Sequence, residues 1–414
     1  MTVPAEVGVE SASSQSPLIV RGEPRFRRIN AAMFIAGLGT FALLYCVQPL
    51  MPAFAEGFQL SPAAASLSLS AATGVMAVAM FGAGALSERL GRKRVMTASL
   101  AAAAAANIAV AFAPNWYGLV ALRALTGLAL SGVPAVAMAH LAEEVDRADV
   151  GLAMGLYIGG STLGGMSGRL AGAALLEYGG WRVAMGVIGL FSLLGAALFG
   201  LALPRDRRSE VRAALPNIVS SVRLHLADPG MRYLFALGFL LMGGFVTTYN
   251  YIGFRLAAPP FSMSQTAIGF IFVLYLIGTV VSPLVGELAG RFGRRKVIGF
   301  AIALIPLGVA ATLPDTLPLI VFGIALVTAG FFGGHSIASS WVGLRAEKAR
   351  AQASALYLFF YYLGSSVAGS LGGFAYAAGA WHGAVIFVGA LAALSFYVAI
   401  RLSRVPPPAH MLRP

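Results

Sequence analysis

Gly84-Ala-Leu-Ser-Glu-Arg-Leu-Gly-Arg-Lys93 recurs in the second half of the chain as Gly286-Glu-Leu-Ala-Gly-Arg-Phe-Gly-Arg-Arg295. Each copy follows the second long apolar segment of its half. A further pair of matches, Leu156-Tyr157 with Leu356-Tyr357, repeats at nearly the same offset. Because equivalent loops and equivalent helices recur together, the pattern predicts a duplicated unit, and therefore two structurally related halves.

The segments on either side of these loops are apolar enough to lie in a membrane. Of 414 residues, 58% are hydrophobic and only 11% are charged, whereas soluble proteins have about 25% charged residues. A helix crosses a bilayer in about 20 mostly apolar residues. Twelve segments are predicted to do so: 29–53, 63–86, 95–113, 116–141, 150–176, 181–203, 231–256, 264–289, 296–313, 317–343, 351–378 and 382–402.

The longest polar gap separates the sixth segment from the seventh and divides the chain six plus six. The predicted fold class is therefore an all-α membrane protein with twelve transmembrane helices in two six-helix, pseudo-symmetric bundles. The predicted organisation is a disordered cytoplasmic tail (1–28), an N-terminal bundle (29–203), a cytoplasmic linker (204–230), a C-terminal bundle (231–403) and a cytoplasmic tail (404–414).

The basic residues predict the orientation. With the N-terminus inside, 25 of the 29 Lys and Arg residues fall in inner segments, as the positive-inside rule requires. Both termini are therefore expected in the cytoplasm. This distribution explains the net charge of +13 without a nucleic-acid partner, and it makes the lipid bilayer the main partner.

Over about residues 28–403 the chain resembles the major facilitator superfamily. The family's loop motif, Gly-x-x-x-Asp-Arg-x-Gly-Arg-Arg/Lys, is matched in both halves, with Glu88 in place of Asp in the first copy and Gly290 in the second. The resemblance implies a cytoplasmic gate, with its acid in the first loop only. The gate residues are Gly84, Glu88, Arg89, Gly91, Arg92, Gly286, Arg291, Gly293 and Arg294.

The fifth segment, from Gly155 to Arg169, resembles an antiporter motif and is most similar to the acriflavine-type efflux branch, although Gly160 stands where that motif has Pro. The resemblance implies a drug:proton antiporter in a bacterial-type inner membrane that works as a monomer by alternating access. It would export small organic, drug-like compounds. Parallel repeats of this kind place the substrate site near the bilayer midplane, between the halves.

Arg123 and Arg169 are charges inside predicted spans, at similar depths in the outer half. Such residues are functional hypotheses by default. We expect Arg123 to face the substrate cavity, whereas the sequence does not fix the helix face of Arg169. The alternatives are snorkelling towards the surface and bonding to backbone carbonyls.

Further cavity candidates are polar and aromatic side chains in both halves. An aromatic wall with a few polar groups suits flat, partly apolar molecules, although helix packing would also explain these rings. The candidates are Gln48, Tyr157, Ser161, Tyr249, Asn250, Tyr275, Tyr357 and Tyr361.

Proton coupling has few candidates, because none of the sixteen acidic residues lies deep in a predicted span. His335 is a candidate because the unperturbed pKa of histidine, about 6.5, lies in a useful range. Glu56 lies at the outer end of the first span, and Arg123 is the third candidate. A packing role is the alternative for His335.

Functions of other classes find less support in the same residues. The embedded cations favour, as an alternative, a transporter of organic anions or metabolites, including uptake. A membrane enzyme is not expected, because the sequence has no Walker loop and no Gly-x-Ser-x-Gly elbow. No cofactor or metal site is predicted.

Five glycines recur every four or five residues along the fifth predicted span and form a stripe of small residues: Gly155, Gly159, Gly164, Gly168 and Gly172. Small residues spaced in this way allow close helix packing. Their alternative role would be a sliding surface between the two halves.

The orientation predicts that a cysteine at residue 215, in the 204–230 linker, will react with an impermeant maleimide only from the cytoplasmic side. A cysteine at residue 178, in a predicted outer loop, is the control and should react in intact cells. Labelling of residue 215 in intact cells would contradict the topology.

Overall fold

A computed structural model describes residues 18–146, 148–204 and 218–408. Within these ranges the chain is almost entirely helical, and the only β-type pairing is a single bridge between Ile19 and Val145. The predicted all-α class is thus confirmed.

Seven helices form the N-terminal half. They are α1 (Pro24–Tyr45), α2 (Met51–Gly57), α3 (Pro62–Leu90), α4 (Arg92–Val110), α5 (Trp116–Leu130), α6 (Pro134–Glu144) and α7 (Val150–Ala202). The fourth predicted span is therefore two helices, because Pro134 has no N–H to continue the hydrogen bonding of α5. Gly180 has φ 74°, which interrupts α7 between the fifth and sixth predicted spans.

Helix α8 (Ile218–Ala227) lies in the predicted linker and precedes the C-terminal half. Its remaining elements are α9 (Pro229–Ala257), α10 (Gln265–Gly269), a 3₁₀ helix (Phe270–Leu276), α11 (Ile277–Phe292), α12 (Arg294–Ala311), α13 (Leu317–Arg345) and α14 (Arg350–Ser403). Non-helical backbone at Gly379 and Ala380 breaks α14.

The helix lengths account for twelve membrane crossings. Within the described ranges, eight segments are long and apolar enough to span a membrane. Two of them, α7 and α14, contain 53 and 54 residues, enough for two crossings each on either side of their breaks. The shorter α4 and α12, which begin with the basic residues of the repeated loops, complete the twelve.

The beginning of the chain differs from the prediction of a disordered tail over 1–28. Ile19 is fully buried, and its backbone bonds to Glu144 and Asp146. Helix α1 already begins at Pro24, because the fixed φ of proline suits the first turn of a helix. Residues 18–28 are thus ordered, whereas 1–17 lie outside the described residues, as do 205–217 of the linker and 409–414.

The glycines of α7 pack against α1 within the N-terminal half. A Cβ added at Gly164 would lie 2.1 Å from the Leu38 oxygen, and one at Gly168 would lie 2.6 Å from the Ala42 Cα. Gly155 and Gly159 face open space. Gly164, Gly168 and Gly172 therefore serve packing inside one half, whereas the alternative of a sliding surface between the halves finds no support in these contacts.

Gly164→Ala should destabilise the protein by about 1–3 kcal/mol, because the added methyl group overpacks a backbone contact. The measurement is thermal unfolding in detergent. Gly159→Ala, on the same helix but with open space around it, is the matched control and should change stability little. Equal effects would contradict this account of the packing.

Candidate substrate cavity

A cavity of about 550 Å³ lies between the two halves. Its wall is mainly aromatic and contains no Asp or Glu among the described residues. The rings come from both halves and include Phe41, Tyr45, Tyr157, Tyr275, Tyr357 and Tyr361.

The cavity opens towards the end of the bundle that carries the two repeated loops, which we call the loop-motif end. Its wall there includes two exposed residues, Met138 in the middle of α6 and Ser354 near the start of α14. At the opposite end the halves touch. The Glu177 carboxylate accepts a hydrogen bond from the Thr266 backbone N–H at 2.8 Å.

Hydrogen bonding to Thr266 also holds the pKa of Glu177 below its ordinary value. Because the pKa is lowered, the ionised carboxylate stabilises this contact, and the stabilisation is fully present at pH values above the ordinary pKa of Glu177. The contribution is lost only as the pH falls through the lowered value. The contact at the closed end is therefore maintained at neutral pH.

Arg169 lies on the cavity wall and bonds only to neutral groups. Its Nε donates to Gln48, one terminal nitrogen donates to the Gly165 oxygen at 2.5 Å, and the other donates to the Tyr275 hydroxyl at 3.0 Å. No described carboxylate bonds to it. Within the described chain, Arg169 is thus a positive charge in the membrane region without an acidic partner.

Aromatic rings surround the Arg169 guanidinium. Its carbon lies 4.1 Å from the ring centre of Tyr45 and 4.3 Å from that of Tyr275, with Phe272 at 5.3 Å. Cations are attracted to ring faces, so these rings partly compensate the buried charge.

Gln48 extends this contact into the second half. Because arginine only donates, the Gln48 oxygen faces Arg169, and its Nε2 donates to the Asn250 oxygen at 2.7 Å. This leaves the Asn250 Nδ2 buried without a partner in the described structure. Gln48 and Asn250 were predicted to line the cavity, but they contact Arg169 and each other outside the cavity wall.

Arg123 lies elsewhere, which corrects the expectation that it faces the cavity. It is fully buried and donates to the backbone oxygens of Ser68, Leu43 and Leu44 at 2.7–2.9 Å, and to Asn107 at 3.1 Å. It does not line the cavity. The alternative of bonding to backbone carbonyls therefore holds for Arg123, which ties α5 to α1 and α3.

The remaining cavity candidates divide into two groups. Five of them lie on the cavity wall: Tyr157, Ser161, Tyr275, Tyr357 and Tyr361. Tyr249 does not, because it is buried and its hydroxyl bonds to Thr328 at 2.8 Å.

Of the candidates for proton coupling, His335 lies on the cavity wall and Glu56 does not. His335 lines the cavity, and its Nδ1 lies 2.9 Å from the Tyr357 hydroxyl. Its ring stacks on Phe331 with an interplanar angle of 8°. Glu56 is exposed on α2 and is not part of the cavity wall, because the first span ends at Tyr45 and a turn carries the chain away.

The predicted gate residues lie at two helix junctions at the loop-motif end, where α3 meets α4 and α11 meets α12. Gly91 and Gly293 have φ of 91° and 87°, which only glycine adopts readily. Arg92 pairs with Glu143, whereas Glu88 is exposed and forms no ion pair with a described residue. In the second loop Arg291 pairs with Glu287 at 2.5 Å.

Sequence reasoning missed some of these groups. Glu143 carried a signal, since it is an acid at the inner end of the fourth predicted span. The serines at 336, 339, 340 and 354 line the open part of the cavity, and three of them form a polar run in the tenth span. Phe331 and Phe332 could not have been separated from ordinary packing residues.

Comparison with known proteins agrees with a helical transporter built from two related halves. The family model described as Major Facilitator Superfamily matches residues 32–257 and 235–413. The chain is 44% identical to the inner membrane transport protein YnfM of Escherichia coli K12 over 95% of both chains. It is 43% identical to the uncharacterized MFS-type transporter YybF of Bacillus subtilis over 93% of this chain and 96% of the relative.

Among solved structures, a bacterial homologue of the human lysosomal transporter Spinster, in an inward-facing and unoccupied conformation, superposes with a TM-score of 0.78. It is 17% identical, and the match covers 94% of this chain and all of that one. The protein is a multi-pass membrane transporter rather than an enzyme. It belongs to the major facilitator superfamily.

Arg123→Gln should destabilise the protein strongly, by about 2 kcal/mol or more, because it leaves buried backbone oxygens without donors. Thermal unfolding in detergent measures the effect. Arg182→Gln is the control, since this arginine lies at the surface of the closed end and bonds to the Ala113 oxygen. Unchanged stability of Arg123→Gln would contradict the structural role.

Proposed function

We propose that this protein exports small, partly aromatic organic compounds from the cytoplasm by proton antiport, as a monomer that works by alternating access. The observation that carries the proposal is an aromatic cavity between the halves that is open at one end and closed at the other. The positive-inside rule supports the loop-motif end as cytoplasmic, and hence a bacterial inner-membrane protein open to the cytoplasm.

The chemistry of the wall supports the substrate class. Tyrosine and phenylalanine rings favour flat apolar bodies, and the serine hydroxyls of α13 add polar contacts. The resemblance of the fifth span to the antiporter motif supports export and the acriflavine-type branch.

His335 is the group we assign to proton coupling. It is the histidine of the cavity wall, and its Nδ1 contact with Tyr357 places a titratable group beside a substrate position. A substrate bound against this wall would change the surroundings of the imidazole. Substrate binding and protonation of His335 would then oppose each other, and each would shift the conformational equilibrium.

Transport of organic anions is the second candidate. It is favoured by Arg169, which brings a positive charge to a wall whose described residues include no carboxylate. A cationic compound would find no counter-charge among these lining residues.

The test is transport in proteoliposomes with imposed pH and voltage gradients, across cationic, neutral and anionic aromatic compounds. We expect accumulation to depend on the pH gradient, and His335→Gln to remove this dependence while exchange of substrate across the membrane continues. His382→Gln, an exposed histidine of α14, is the control. Full pH-driven transport in His335→Gln would contradict the coupling role.

A further inference from the structure

Arg169 differs from the other strongly buried arginines of the described chain in having no strong compensation. Arg255 and Arg345 pair with Asp315 and Asp228. Arg123 uses four of its five N–H groups. Arg169 uses three, on neutral acceptors, so each of its terminal nitrogens retains one N–H without an acceptor among the described residues.

A buried charge without a charged partner is costly. The rings of Tyr45 and Tyr275 offset part of this cost, but they supply no oxygen acceptor. The two remaining N–H groups belong to one planar guanidinium, which binds a carboxylate in a bidentate manner. The cavity therefore offers a site for one planar anion beside an aromatic wall.

Arg169 also joins the halves of the protein. It lies on α7, whereas its hydroxyl partner, Tyr275, lies on the 3₁₀ helix of the C-terminal half. Gln48, which accepts from Arg169, donates across the same boundary to Asn250. Any ligand that competes for the Arg169 N–H groups thus acts on a contact that joins the two halves at the cavity wall.

We propose that Arg169 is an anion subsite: the carboxylate of an aromatic acid binds the two remaining terminal N–H groups, competes with the Tyr275 hydroxyl for the same guanidinium, and thereby loosens the closed end. The proposal rests on the proposed transport function and gives it a substrate class. It also gives a physical coupling, since a ligand shifts a conformational equilibrium only if it interacts differently with the two states.

The test uses purified full-length protein and matched probes, namely benzoate and 2-naphthoate with their uncharged amides, benzamide and 2-naphthamide. Isothermal titration calorimetry should give tighter binding of at least one acid than of its amide. Arg169→Gln should weaken acid binding about tenfold, or about 1.4 kcal/mol, and change amide binding much less. Arg169→Lys should restore it in part, because lysine lacks the planar fork.

Tyr275→Phe distinguishes two roles of Arg169: binding an anion, and only holding the two halves together. It keeps the ring over Arg169 but removes the competing hydroxyl, so we expect acid binding to become tighter. If Arg169 only holds the halves together, Arg169→Gln and Tyr275→Phe should instead act in the same direction on acid and amide alike, which would overturn the proposal. Arg182→Gln, which removes a charge outside the cavity, is the control and should leave both affinities unchanged.

The conformational step is measured by spin-label distances between positions 117 and 317, at the closed ends of the two halves. With 2-naphthoate the distance distribution should shift to longer values in the wild type and not in Arg169→Gln. Equal binding of acids and amides overturns the anion subsite and leaves a transporter of neutral compounds. Binding of none of the four probes overturns the aromatic-substrate proposal as well.

Discussion

A guanidinium stays charged inside a membrane-spanning bundle only if its N–H groups and its charge are compensated, and the two halves of this protein meet at such a group. Arg169 obtains its compensation from ring faces and neutral oxygens contributed by both halves. The position of Tyr275 and the orientation of Gln48 follow from that requirement, because arginine can only donate. Because the Asn250 oxygen accepts from Gln48, its amide nitrogen Nδ2 points away and is buried without a partner in the described structure.

The sequence predicted the twelve spans and both halves, because hydropathy and repeats depend only on the residues themselves. It favoured Arg123 over Arg169 as the cavity residue, which was wrong, because the two have similar predicted depths and only Arg169 lines the cavity. One residue turns a helix by about 100°, so an uncertain boundary leaves the helix face undetermined. The breaks at Leu130–Pro134 and Gly180 also set which way a side chain points, and they depend on tertiary packing.

The gate shows a different limit of sequence reasoning. The loop motif identifies the residues of the turn, and the positive φ at Gly91 explains one of its glycines. A motif does not fix ion-pair partners, since these depend on which neighbouring helix end approaches. Here α6 brings Glu143 to Arg92, while Glu88 remains exposed. A gate role for Glu88 therefore stays a prediction.

The closed end is held by several hydrogen bonds between the halves, each of them weak on its own. A typical hydrogen bond contributes about 0.5–1.5 kcal/mol net. The bonds between the halves run from Arg169 to Tyr275, from Gln48 to Asn250, from Thr266 to Glu177, and from Ser366 and Ser370 to Ser70. Reversing a two-state population from 1:99 to 99:1 requires about 5.5 kcal/mol. The proposed exchange of one such bond at Arg169 would supply only part of that free energy. The remainder has to come from interactions that form as the loop-motif end closes around the substrate, and a cavity wall contributed by both halves provides them only when it is occupied.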